Sequence, residues 1–198
     1  MGVSVLYSAI PPTSRLYARL QHDQAFNVLM VALFPYGNGI FRFFEIDADE
    51  VAEILEYVID ADQDTFGSEA EAIINEFRDQ LMQTRAMFPG IEDRTASLEK
   101  SFLEVQERLT QQLSQSDNAS EIVEKLLYGD QVFNSMLPDN ESLRLISHDL
   151  VQQGAEILRL IAPNSLFADD WYGSDLERWR NLYFAAAERN EVILVAFA

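Results

Sequence analysis

The residues with the most chemical promise sit together in Asp60-Ala61-Asp62-Gln63-Asp64-Thr65-Phe66-Gly67-Ser68-Glu69-Ala70-Glu71. A calcium-binding EF-hand loop places oxygen ligands at its first, third, fifth, seventh, ninth and twelfth positions. Asp60, Asp62, Asp64, Ser68 and Glu71 bring side-chain oxygens to five of these positions, and Phe66 can offer its carbonyl. On this reading Ca²⁺ is held by Asp60, Asp62, Asp64 and Glu71. Two residues depart from the pattern: Thr65 stands where glycine makes the sharp turn, and Gly67 where a branched apolar residue pins the loop. Ser68 and Glu71 also match a helix capping box, in which each side chain satisfies the other's backbone N–H. A polar loop before a capped helix is therefore the plainer reading, with no cofactor.

The acidic character extends well beyond this loop. Residues 45–79 hold thirteen acidic residues and one basic residue, Arg78. Residues 1–44 carry Arg15, Arg19 and Arg42 against Asp23 alone. The whole chain has 33 acidic and 14 basic residues, a formal net charge of −19. Such a surface repels nucleic acid, whose binding requires lysine and arginine against phosphates. It repels anionic membranes for the same reason. The partner it suits is a basic protein, met by Glu53, Glu56, Asp60, Asp62 and Asp64. An inhibitor or immunity-type role belongs to this class. The plainer reading is a solvated helical face that serves solubility.

Other reactive groups are sparse. His22 and His148 are the two histidines, and there are no cysteines. Disulfides, thiolate metal sites and cysteine nucleophiles are thereby excluded. Asp169 and Asp170 lie beside Trp171 and Tyr172. Paired carboxylates next to aromatic rings can rim a pocket, and His148 is a candidate acid–base group near it. The alternative function is thus a small-molecule-binding protein or a hydrolase-like enzyme. Aromatic residues in such a loop more often pack on the core. Gly37-Asn38-Gly39 lacks the length and the lysine of a phosphate loop.

These residues need a scaffold, and the end of the chain supplies its centre. Residues 192–198, Val-Ile-Leu-Val-Ala-Phe-Ala, contain no polar side chain. Successive strand side chains point to opposite faces, so this strand must be covered on both. Ahead of it, Leu176, Trp179, Tyr183 and Ala187 recur at helical spacing after a capping serine, Ser174. Asn190 suits the left-handed position behind a helix. Further strands are expected at residues 3–10, 40–46 and 142–146. Helices are expected near 13–20, 24–34, 47–58, 68–81, 95–115, 122–127 and 147–161, the sixth of these ended by Gly129. The fold class is α+β: a single domain over residues 1–198, with a small mixed sheet packed by several helices and the C-terminal strand central. No apolar run reaches the length of a membrane helix, and the first residues lack a basic leader, so the expected location is the cytoplasm.

Four stretches together resemble a known family. They are Met1-Gly2-Val3-Ser4-Val5-Leu6-Tyr7-Ser8-Ala9-Ile10-Pro11, Ile122-Val123-Glu124-Lys125-Leu126-Leu127-Tyr128-Gly129-Asp130, Leu143-Arg144-Leu145-Ile146-Ser147 and Tyr183-Phe184-Ala185-Ala186-Ala187-Glu188-Arg189-Asn190. Their order and content resemble the YfbM-like family, a bacterial domain of unknown function. The resemblance implies one α+β domain in the bacterial cytoplasm, and it brings no catalytic residue. The expected function is a non-catalytic cytoplasmic protein whose acidic helix–loop–helix, residues 45–79, binds a basic protein.

Overall fold

A computed structural model describes residues 5–33, 48–61, 66–86, 94–98, 102–114, 118–134, 143–161 and 173–197. In chain order its elements are β1 (Val5–Ile10), α1 (Arg15–Leu20), α2 (Gln24–Leu33), α3 (Ala48–Ala61), a 3-10 turn (Gly67–Glu69) and α4 (Ala70–Ala86). There follow β2 (Thr95–Leu98), α5 (Phe102–Gln112), α6 (Ala119–Tyr128), β3 (Gln131–Asn134), β4 (Leu143–Ile146), α7 (His148–Leu160), α8 (Gly173–Glu188) and β5 (Val192–Phe197). The strand expected at residues 40–46 lies outside the described residues. Among the described residues no helix is long and apolar enough to cross a membrane.

Among the described residues, the apolar run near the chain end lies at the middle of a sheet of five strands, ordered β2-β1-β5-β4-β3. β1 flanks β5 on one side, with Val5 opposite Phe197 and Ile10 opposite Val192. β4 flanks it on the other, with Leu143 opposite Ala196 and Ile146 opposite Ile193. All four strand pairings are antiparallel, so the mixed strand directions expected from helix crossovers are not found among the described strands.

Alternation sorts the strand residues between two cores. Leu6, Ile10, Leu143, Leu145, Val192, Leu194 and Ala196 face a cluster with Leu16, Leu20, Phe26, Leu55 and Phe77 from α1 to α4. Val5, Tyr7, Ala9, Ala96, Leu98, Ile146, Ile193 and Val195 face a second cluster, with Val105, Leu126, Val151, Trp179 and Tyr183 from α5 to α8. The earlier helices thus cover one face and the later helices the other. Each fully buried Val, Leu or Ile contributes ~1.5–3 kcal/mol. The helical layers are therefore what keeps an all-apolar β5 folded.

Residues 95–115 depart from the single helix expected there. Thr95–Leu98 forms the edge strand β2, and the helix α5 starts at Phe102. Ala96 and Leu98 pair with Tyr7 and Val5 and face the same core as Phe102. Leu98 and Phe102 stand four residues apart, which imitates a helical turn although a strand end and a helix start share that core. Helix α8 begins at Gly173, one residue before the serine expected to cap it.

Helix ends are closed by distant side chains. Tyr7 Oη donates to the Leu127 carbonyl at 2.8 Å, and Tyr183 Oη donates to that of Leu126. These are last-turn carbonyls of α6, which lack partners within the helix. Trp179 lies between the two phenols, with ring centroids 6.1 Å from Tyr7 and 4.9 Å from Tyr183. At the end of α7, the Arg180 guanidinium donates to the Leu158 and Ile161 carbonyls at 2.8 and 2.9 Å. A cation there also suits the negative end of the helix dipole. Gly129 ends α6 with φ 81°, and its N–H reaches the Lys125 carbonyl. A Cβ on Gly129 would lie 2.5 Å from the Leu145 carbonyl oxygen in β4.

Gly129→Ala is expected to cost about 2–4 kcal/mol, because it adds a left-handed strain and a clash with backbone rather than with a flexible side chain. Urea unfolding of the variant beside the parent measures this.

Burial pushes the Tyr7 and Tyr183 phenols well above their ordinary value, with the charges of Tyr183 and Tyr128 adding for Tyr7 and that of Asp130 for Tyr183. In the unfolded chain both ionise near pH 10. Above that pH the unfolded state gives up protons that the folded state keeps, so stability falls as the pH rises. Tyr7→Phe should lose ~1 kcal/mol at neutral pH and flatten the alkaline decline. Urea midpoints from neutral to strongly alkaline pH test both halves.

Candidate functional site

Helix α3 is amphipathic, and its two faces have different tasks. Asp49 and Glu50 in its first turn suit the positive end of the helix dipole. Val51, Ile54, Leu55 and Ile59 are buried in the first core. Val58, expected on this face, is half-buried at its margin, and Ile59 takes the deeper place. The remaining positions turn outward: Glu53, Glu56, Tyr57 and Asp60 are all exposed. Glu53 precedes Tyr57 by four residues and Asp60 follows it by three, so the three share one strip. Tyr57 is 66% exposed, which leaves an aromatic ring in water among carboxylates.

Helix α4 packs beside α3 by burying Ile74, Phe77 and Leu81. Phe77 meets Phe26 of α2 edge-on, with centroids 5.2 Å apart. Glu71, Glu76 and Asp79 are exposed on α4. Arg19 of α1 approaches from the side. Its guanidinium lies 2.7 Å from Asp23 and 3.2 Å from Glu76, and sits over the Phe26 ring. With about two-fifths of the Arg19 side chain exposed, these pairs stabilise little. Arg78, the one basic residue of the acidic stretch, donates to Asn75 Oδ1 at 3.0 Å.

The proposed loop residues are only partly in view. Asp60 lies in the last turn of α3 and Glu71 in the first turn of α4, while Asp62 and Asp64 fall outside the described residues. The expected capping box is not formed. Ser68 lies inside the 3-10 turn, and α4 starts two residues later at Ala70. Phe66, buried in the core, and Gly67, with φ 58°, set that turn instead. Among the described residues, no three histidine, aspartate or glutamate side chains are grouped as metal ligands.

A second polar cluster stands at the end of the sheet where α7 begins. Asp130 Oδ1 accepts from the Ser147 backbone N–H at 2.8 Å, and Oδ2 accepts from the Ser147 hydroxyl at 2.6 Å. Asp130 thus closes the start of α7, the task expected of Ser147 itself. Partial burial raises the Tyr17 phenol pKa, a hydrogen bond with Gln21 pulls against this, and the Asp130 charge adds to the rise. His148 is half-exposed, with Nδ1 3.3 Å from Asp149 Oδ1 and Nε2 3.3 Å from Asn190 Oδ1. Asn190 has the expected left-handed backbone, φ 54°. The Ser147 hydroxyl points to a carboxylate and the imidazole to Asn190, so the two do not make a nucleophile–base pair. Asp169, Asp170, Trp171 and Tyr172 lie outside the described residues.

Deeper at this end, Glu191 forms an ion pair with Arg94 through Oε1, and Oε2 lies 2.9 Å from Arg189 Nε. The Glu191 and Arg94 side chains are nearly sealed from water. The Arg94 carbonyl accepts from the Ala9 N–H at 2.8 Å. This buried carboxylate, met by two cations, joins the starts of β2 and β5. Nothing in local spacing marks the pair, whose members are 97 residues apart.

In comparison with known proteins, no family model, curated protein or solved structure matches the chain.

Asp130→Ala is expected to remove about 1 kcal/mol and to loosen the first turn of α7 first. Hydrogen exchange should rise at residues 148–151 before it rises in β5. Equal acceleration throughout would show that Asp130 is no cap.

Proposed function

We propose that this protein is a non-catalytic binding protein that holds a basic protein partner against the outer face of α3 and α4. The observation that carries this reading is the outward face of α3, where Glu53, Glu56 and Asp60 are exposed and Tyr57 shares a strip with Glu53 and Asp60. Carboxylates steer a cationic partner and fix its register. The Tyr57 face adds attraction for a guanidinium or ammonium group seated over it. Asp62 and Asp64, which follow α3 in the chain, are included among the proposed partner-binding residues. The family reading, a YfbM-like domain of the bacterial cytoplasm, is part of this proposal. It rests on the sequence resemblance of the four stretches.

The rival readings are separable. A small-molecule binder or hydrolase-like enzyme using His148 and residues 169–172 should be stabilised by a metabolite in a thermal melting screen. Calcium at the acidic loop should give heat in a calorimetric titration and a higher melting temperature.

The test of the leading reading is a pull-down from the native host with the parent chain and with Glu53→Gln/Glu56→Gln/Asp60→Asn, followed by calorimetry on the purified captured protein. Binding is expected to weaken steeply with salt and about tenfold or more in the triple variant, roughly 1.4 kcal/mol. Tyr57→Ala should weaken it further. A partner held equally well by parent and triple variant, or indifferent to salt, would overturn the proposal.

A further inference from the structure

We draw no further inference here: the strongest candidate, the side-chain cluster of Asp130, Ser147, His148 and Asn190 at the start of α7, rests on a helix N-terminus that the Asp130 carboxylate already closes, and nothing in the structure points to a ligand there.

Discussion

A strand with no polar side chain tolerates water on neither face, and most of the architecture answers that demand. β5 needs a hydrogen-bonding neighbour on each edge and an apolar layer on each side. β1 and β4 supply the edges. The helices divide in sequence order, α1 to α4 over one face and α5 to α8 over the other. Among the described strands β2 and β3 stand outermost, with four residues each.

Packing two helical layers on one sheet buries helix ends as well as helix faces. A buried helix end exposes carbonyls or N–H groups with no partner inside the helix. Here distant groups resolve the problem: two phenols at the end of α6, a guanidinium at the end of α7 and a carboxylate at its start. The Glu191 carboxylate, paired with Arg94 and Arg189, ties the start of β5 to that of β2. These polar residues near the sheet therefore have structural tasks. This weakens a catalytic reading of the cluster around His148, because its hydroxyl and its imidazole have separate partners.

The acidic helices stand in contrast. Their buried sides complete the first core, yet their outer sides carry carboxylates on both α3 and α4. Like charges so close reduce stability unless solvent, ions or a partner screens them. Core packing explains Ile54 or Phe77 but gives no reason for Tyr57 at 66% exposure beside Glu53 and Asp60. The proposed binding reading rests on that contrast.

Much of this was legible in the residues, and the boundary has a physical cause. Local backbone preference and side-chain period marked β5, the apolar stripe of α8, Gly129 as a helix stop and the left-handed Asn190. The same period placed Glu53, Glu56 and Asp60 on an outward face. Burial of Phe66 sets the turn where Ser68 and Glu71 match a capping box, and β2 is hidden in the sequence because Leu98 fits a helix stripe as well as a strand. Strand order and direction, the Asp130 closure of α7 and the pairing of Arg94 with Glu191 depended on partners distant in the chain: Ser147 lies 17 residues from Asp130, Glu191 lies 97 from Arg94, and β1 pairs with β5 across nearly the whole chain. The sequence by itself determined most of the helices and the buried strands β1, β4 and β5, since that is decided within a few residues by dihedral preference and hydrophobic period. Only the tertiary structure decided which segments lie side by side and which polar groups satisfy one another, because those choices minimise unpaired and exposed groups over the whole molecule at once.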